Sequence, residues 1–308
     1  MTDLAIDVRG LVKRFGKRVA VDGVDIRMPK GQVWGFLGPN GSGKTTTIRM
    51  VCGLLRPDAG EGSCLGLDIR RDVGRIRRAT GYMTQKFSFW GDLTIRENLE
   101  FVARLYRMPG ARAQVDRTLE SLGLTGRQRQ LAGALSGGWK QRLALAAVTM
   151  HQPELLLLDE PTAGVDPQAR RDFWDEIHRL SAAGLTVLVS THYMDEAERC
   201  DRIVYLAHGS LVTEGRVADI IKGSGLVTFR AAGDSVRALI PALRACPGVR
   251  HAAYFGAALH VSGTDRAALE RAIAAHRPPG AGWEEIPASL EDAFIELMAR
   301  AGADKRLH

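Results

Sequence analysis

Long apolar runs and paired cysteines are both absent from this sequence of 308 residues. No apolar run approaches the ~20 residues that a helix needs to span a bilayer. Residues 1–7 lack a basic region followed by an apolar core, so we expect neither membrane spans nor a signal peptide. Cys52, Cys64, Cys200 and Cys246 are scattered without metal-type spacing. This pattern favours reduced thiols in a cytosol over disulfides or a zinc site.

Charge of one sign is present only in modest excess. Lys and Arg number 42 against 35 Asp and Glu, which gives a formal net charge of +7. The densest basic cluster, at 70–78, forms no tail, so a solvated face or one near lipid headgroups is favoured over a nucleic-acid site. The length allows one large domain, alone or with a small one.

The most informative stretch that is present lies at 38–45, GPNGSGKT, and fits the G-x-x-x-x-G-K-[ST] phosphate loop. Its glycines let backbone N–H groups turn inward around anionic oxygens, and the helix that follows adds its positive end. Lys44 would reach the β- and γ-phosphates, and the Thr45 hydroxyl would hold Mg²⁺. The predicted nucleotide-binding residues of this stretch are Gly38, Pro39, Asn40, Gly41, Ser42, Gly43, Lys44, Thr45 and Thr46.

Apolar patterning around the loop predicts a parallel α/β core. The run at 32–37 is typical of a buried strand, as are the runs at 155–158 and 185–189. A crossover helix is expected at 166–180, between the last two strands. Two shorter strand-like stretches, at 4–8 and 24–28, precede the loop.

A helical insert is predicted between about 86 and 152. Thr94 and Glu97 form a capping box, and Leu99, Val102 and Tyr106 recur at helical spacing. The core with its insert is predicted to occupy 1–223.

Beyond a change of pattern near Gly223, the chain is rich in alanine. We expect a small α+β domain at 224–308, with a final helix beginning near Ser289. No polar constellation there indicates chemistry, so packing, dimerisation or regulation is the expected role.

Two adjacent carboxylates, Asp159 and Glu160, directly follow the strand at 155–158. Beside a phosphate loop the first would bind Mg²⁺, directly or through water, and the second would take a proton from the attacking water. His192 ends the next strand.

Ser136, Gly137 and Gly138 present hydroxyl and N–H donors at a predicted helix start, which makes a second anion site. One phosphate loop and a second phosphate-binding turn far along the chain suggest that two subunits share each nucleotide.

In this order, the motifs resemble those of the ATP-binding subunit of an ABC transporter, over residues 4–223. The resemblance implies a P-loop NTPase core with a parallel sheet, an antiparallel β subdomain and a helical insert, with ATP and Mg²⁺ as cofactors. It also implies that Phe15 stacks on adenine, that Gln85 senses Mg²⁺ and the attacking water, and that His192 holds the γ-phosphate.

The resemblance further implies that Ser136 and Gly138 contact ATP held by the other subunit, and that Asp166 belongs to a turn linking the two sites. Two departures stand out. Trp139 replaces a common glutamine, and the linking turn at 163–166 has the sequence AGVD in place of SALD.

Expected partners are a second copy or a similar ATPase, together with separate transmembrane permease subunits; no nucleic acid is expected. Phe87, Phe89 and Trp90 follow Gln85, where the family receives a short helix from the membrane subunit, and they would form an apolar socket or pack in the core. The expected location is peripheral, at the cytoplasmic face of the inner or plasma membrane.

Residues 286–294 are similar to extensions on ATPases of bacterial drug- and polysaccharide-export systems. The favoured function is therefore ATP hydrolysis that powers export of a drug-like, lipid or polysaccharide substrate. The alternatives are a soluble ABC-type ATPase acting on nucleic acid or the ribosome, and a catalytically idle regulatory subunit.

Overall fold

A computed structural model describes residues 3–85, 89–255, 258–276 and 282–304. The contacts divide the chain into two compact units, Met1–Leu211 and Val212–His308. The predicted functional domains, 1–223 and 224–308, remain predictions. Among the described residues, no helix combines the length and apolar character that crossing a bilayer requires.

Five strands of the first unit belong to a six-stranded sheet with the strand order β10-β9-β3-β8-β7-β6. Strands β3, β6, β7, β8 and β9 are paired in parallel. Every residue of β3, β7 and β8 is buried, because a parallel sheet is covered on both faces. The bounds are β3 Val33–Leu37, β6 Thr80–Met83, β7 Leu155–Asp159, β8 Thr186–Thr191, β9 Arg202–Ala207 and β10 Ser210–Gly215.

An antiparallel sheet of order β2-β1-β4-β5 accompanies this core. Its strands are β1 Leu4–Phe15, β2 Arg18–Pro29, β4 Ala59–Cys64 and β5 Leu67–Asp68. The first two are much longer than the stretches predicted at 4–8 and 24–28. Gly10 and Gly23 interrupt the apolar pattern, and the pairing register of β1 and β2 shifts between Val8 and Leu11. The strands thus continue through a β-bulge, which pattern alone does not reveal.

Helices complete the first unit. They are α1 Lys44–Val51, α2 Val73–Ala79, α3 Ile95–Leu105, α4 Ala111–Ser121, α5 Gly137–Thr149, α6 Pro167–Ala182 and α7 Met194–Ala197. The predicted capping box is confirmed: the Glu97 amide donates to Thr94 Oγ1, and the Thr94 amide donates to Glu97 Oε2. Helices α3, α4 and α5 share an apolar core that includes Leu99, Val115 and Leu143, so the helical insert is present.

The second unit holds an antiparallel sheet of order β12-β13-β11-β14. Its elements are α8 Val217–Ser224, β11 Val227–Ala232, α9 Ile240–Arg244, β12 His251–Phe255, β13 Ala258–Gly263, α10 Arg266–Ala275, β14 Trp283–Ile286 and α11 Leu290–Asp304. From β11 to β14 the element order is β-α-β-β-α-β, the ferredoxin-like arrangement. Helix α8 packs on α11.

All four cysteines are free thiols, as predicted. Burial raises the pKa of the Cys52 thiol to about 11 and that of Cys64 to about 12. Both are therefore neutral near pH 7 and pack as small apolar groups.

Candidate functional site

The loop at 38–43 joins β3 to α1, and close packing of its backbone requires glycine at two positions. A Cβ on Gly38 would lie 2.1 Å from the carbonyl oxygen of Leu206, and one on Gly43 would lie 2.6 Å from that of Ala20. Both residues also have positive φ, 146° and 104°, where a side chain is strained. The loop is therefore held against neighbouring backbone.

Lys44 begins α1 and folds back over this loop. Its Nζ donates to the Gly38 carbonyl at 2.7 Å and lies 3.7 Å from Glu160 Oε1. Only 4% of the side chain is exposed. Burial lowers the pKa of the Lys44 ammonium, and the carboxylates of Glu160 and Asp159 oppose that shift. The ammonium is thus a poorly solvated donor, which strengthens its attraction to an anion.

Asp159 ends β7 and collects hydroxyl donors from neighbouring elements. Its Oδ1 accepts from Thr45 Oγ1 at 2.9 Å and from Ser190 Oγ at 2.8 Å. The Tyr82 hydroxyl lies 3.4 Å from Oδ2. A carboxylate beside a threonine hydroxyl at the start of a phosphate-binding helix is the oxygen-rich donor set that suits Mg²⁺. Thr45 and Asp159, two of the three residues predicted to hold the metal, therefore fit it.

The backbone of Glu160 adopts a left-handed conformation, which is unusual for a residue other than glycine. Its φ is 47°, and its amide approaches both the carbonyl oxygen and the hydroxyl of Ser190, at 3.1 and 3.0 Å. Gln85 Nε2 donates to Glu160 Oε2 at 2.9 Å, and His192 Nδ1 lies 3.5 Å from the same oxygen. The three predicted catalytic side chains thus meet at one carboxylate.

A cavity of about 580 Å³ lies over the phosphate loop. Phe15, at the end of β1, lines it and is 51% exposed, so it is not a core residue. Lys13 Nζ lies 5.8 Å from the ring centroid. The cavity is lined by Phe15, Arg18, Ala20, Asn40, Gly41, Ser42, Gly43, Lys44, Thr45, Thr46, Gln85 and Glu160.

The Ser136 turn does not line this cavity. Ser136 precedes α5 with an extended backbone, and its side chain makes no capping hydrogen bond. Ser136 and Gly137 are exposed. Gly138 is close to α6, since a Cβ there would lie 2.7 Å from Ala169 Cβ. The turn is therefore accessible to solvent and does not contribute to the cavity over the phosphate loop of its own chain.

The remaining predicted residues are placed as follows. Asp166 caps α6, accepting from the amides of Gln168 and Ala169 at 3.1 and 2.9 Å. The Trp139 ring lies close to Arg127 and Arg142, whose guanidinium carbons are 5.7 and 5.3 Å from its centroid. Phe89 packs on the core of the helical insert, and Trp90 is 45% exposed. Phe87 lies outside the described residues.

Three side chains at the site escaped the sequence reasoning: Ser190, Tyr82 and Arg18. Ser190 and Tyr82 contact Asp159 from the ends of β8 and β6, and Arg18 lines the cavity. Each is separated from its partners along the chain and belongs to no local motif. The place of Ser190 and Tyr82 near the carboxyl ends of the two strands that flank β7 was the only available signal for those two residues.

The model of the ABC transporter family matches residues 21–163. The chain is 37% identical to the Nod factor export ATP-binding protein I of Burkholderia orbicola (strain AU 1054), over 99% of this chain and 100% of that protein. It is 41% identical to the daunorubicin/doxorubicin resistance ATP-binding protein DrrA of Streptomyces peucetius, over 73% of this chain and 69% of that protein.

A further relative is the probable multidrug ABC transporter ATP-binding protein YbhF of Escherichia coli (strain K12), at 45% identity over 221 residues. The match covers 71% of this chain but only 38% of YbhF.

Solved structures of ATP-binding cassettes are also similar to this chain. A nucleotide-free ATP-binding cassette from an ABC transporter gives a TM-score of 0.62 at 28% identity, over 69% of this chain and 91% of that one. A dimeric, post-hydrolysis cassette bound to ADP and Pi gives 0.62 at 27% identity, over 68% and 98%. The chain belongs to the ABC transporter family, as an ATP-binding protein. The predicted family, fold class and enzyme class, an ABC-type ATPase, are confirmed.

Proposed function

We propose that the chain binds and hydrolyses MgATP as one of two ATP-binding subunits that power export through separate membrane subunits. The observation that carries this proposal is the meeting of Lys44, Gln85 and His192 at the Glu160 carboxylate, beside the phosphate loop. A general base, a phosphate-binding cation and two orienting groups in one place suit in-line attack of water on a γ-phosphate.

Each group has a role that its contacts support. Lys44 exchanges its contacts with loop carbonyls for the β- and γ-phosphate oxygens. Thr45, Asp159 and Gln85 would hold Mg²⁺, which when bound would neutralise charge on the phosphates. Phe15 offers an exposed ring to the adenine. Glu160 accepts the proton of the attacking water, and His192 holds the γ-phosphate.

The exposed Ser136 turn supports a shared site. Its donors do not line their own chain's cavity, so they are available to ATP bound by a second copy in a head-to-tail dimer. A related cassette has been solved as a dimer with ADP and Pi. ATP binding closes such a pair, and hydrolysis with phosphate release opens it, which the membrane subunits convert into alternating access.

An apolar groove of about 310 Å³ in the first unit supports docking of a membrane subunit. Leu54 and Leu105, which line it, are 45% and 66% exposed. Trp90 follows Gln85 by five residues, and its ring packs edge-on against Phe101 with the centroids 4.5 Å apart. We propose that a short helix of the permease docks in the groove lined by Leu54 and Leu105, and that the chain lies at the cytoplasmic face of the membrane.

Export is favoured over import by the relatives, whose names include Nod factor export and daunorubicin resistance. The match to the Nod factor export protein runs through the second unit as well as the first. The substrate class is accordingly a drug-like molecule, a lipid or a polysaccharide.

Replacement of Glu160 by Gln tests the proposal. The amide keeps the contact with Gln85 but cannot take a proton, so turnover should fall by about 100-fold or more. ATP should still bind and should hold the variant as a dimer. Phosphate release and size-exclusion chromatography with ATP and Mg²⁺ measure both effects. Hydrolysis by Glu160→Gln at the wild-type rate would refute the role of Glu160, and an inactive wild type would favour a regulatory subunit.

A further inference from the structure

Glu196, in α7, is a buried carboxylate outside the nucleotide cavity. Its side chain is 1% exposed, and an ionised group so removed from water is stable only when paired and hydrogen-bonded. It accepts from the Thr191 hydroxyl at 2.7 Å and from the Thr162 hydroxyl, and the Arg170 Nε lies 3.5 Å away. Thr162, Thr191 and Arg170 all contact it through their side chains.

The partners come from three different segments that carry the proposed chemistry. Thr162 lies in the turn between Glu160 and Asp166. Thr191 ends β8 and directly precedes His192. Arg170 lies in the first turns of α6, which Asp166 caps. One carboxylate therefore ties the linking turn, the His192 strand end and α6 together.

A second route runs from the same cluster to His192. The Arg170 guanidinium carbon lies 4.4 Å from the Tyr193 ring centroid, and that ring lies 4.1 Å from the His192 ring. The Tyr193 amide also donates to Thr191 Oγ1 at 3.0 Å. The backbone amide that follows His192 and the ring beside it thus both contact groups that bind Glu196, namely Thr191 and Arg170.

We infer that Glu196 is a positioning residue: it holds His192 and the linking turn in one fixed relation to Glu160, so that the two segments move as one piece. Charge-assisted hydrogen bonds in a dry environment are short and directional, and small misplacements at a reacting centre are costly. The inference rests on the proposed function, because it assigns Glu196 a part in the hydrolysis that Glu160 performs.

Loss of this tie should lower kcat and leave ATP binding unchanged. None of Glu196, Thr162 and Arg170 lines the cavity, so the ground-state contacts of the nucleotide remain. Misplacement of His192 acts on the transition state, where it should cost about 10-fold in rate.

Two substitutions of Thr162 separate hydrogen bonding from packing. Thr162→Val keeps the volume and removes the hydroxyl, whereas Thr162→Ser keeps the hydroxyl and removes a methyl group. We expect kcat to fall about 10-fold in the valine variant and to stay within twofold of wild type in the serine variant. A role in packing alone predicts the opposite order.

Thr118→Val is the matched control. Thr118 is a buried threonine in α4 whose hydroxyl donates to the Gln114 carbonyl at 2.9 Å, far in sequence from the site. Its kcat should equal that of the wild type. Melting temperatures of all three variants report any general loss of stability.

Glu196→Gln gives an independent measurement, since it keeps the shape and removes the charge that faces Arg170. In this variant, as in Thr162→Val, the steady-state kcat should fall while the affinity for ATP stays unchanged. The inference is overturned if the valine variant hydrolyses ATP like Thr118→Val, or if the serine variant is as slow as the valine variant. An inactive wild type would instead refute the proposed function, which distinguishes the two failures.

Discussion

At the scale of single residues, the phosphate loop requires glycine at position 38 because neighbouring backbone leaves no room for a side chain. Gly38 sits within van der Waals contact of the Leu206 carbonyl at the end of β9. Lys44 then uses the Gly38 carbonyl as an acceptor. The loop, β9 and Lys44 are therefore coupled through one glycine.

Gly38→Ala should consequently destabilise the protein far more than an alanine at an open glycine. Its Cβ would lie 2.1 Å from a carbonyl oxygen, so backbone must move, at a cost of about 4 kcal/mol or more. Gly123→Ala is the control, because Gly123 has a positive φ but open space around its Cβ position, and it should cost about 1–2 kcal/mol. Urea unfolding measures both, and equal losses would contradict the steric account.

At the scale of elements, the helical insert is joined to the parallel sheet by a histidine. His151 lies between α5 and β7, and its ring stacks on Tyr106, just after α3, with the centroids 3.7 Å apart. Its Nε2 lies 3.2 Å from the Thr80 carbonyl at the start of β6. Burial lowers the pKa of His151 below its ordinary value, which the Thr80 carbonyl only partly opposes.

This pKa shift predicts a loss of stability in mild acid. The unfolded chain takes up the proton near pH 6.5, whereas the folded chain does so only at lower pH. The contribution of His151 is therefore complete above about pH 6.5 and declines as the pH falls below it. His151→Phe keeps a stacking ring without the titration, so its free energy of unfolding should fall less between pH 7.5 and 5.5. Denaturant unfolding at both values tests this, and identical falls would contradict it.

The elements also show which placements could be predicted from the sequence. The phosphate loop, the capping box at Thr94 and the acid pair at Asp159 are contiguous motifs, so their geometry follows from local spacing. Strands β1 and β2 were predicted too short, since bulges at glycines carry no apolar signal. Ser190 and Glu196 could not be found at all, because their importance arises only when distant segments pack together.

At the scale of the whole molecule, the chain has two units, and its predicted active assembly contains two chains. The Ser136 turn does not line the cavity over the phosphate loop. In a head-to-tail pair, each site would combine the loop of one copy with the turn of the other, as a symmetric dimer allows.

Mixing two inactive variants tests this assembly. Lys44→Ala removes the phosphate contact from its own loop but keeps an intact turn, and Ser136→Arg does the reverse. Each alone should be nearly inactive. An equal mixture should regain about one quarter of wild-type activity, since half of the pairs are mixed and one of their two sites is intact. Phosphate release from the mixture measures the recovery, and a mixture no more active than its components would refute sharing between copies.

The left-handed backbone of Glu160 has a consequence for how this protein would respond to selection in the laboratory. A non-glycine residue at φ 47° carries a steric cost of about 1–2 kcal/mol, which glycine or asparagine would relieve. A screen for heat resistance alone would therefore enrich substitutions of Glu160 that raise stability and abolish hydrolysis. Only a screen that also selects for turnover would retain glutamate at this position.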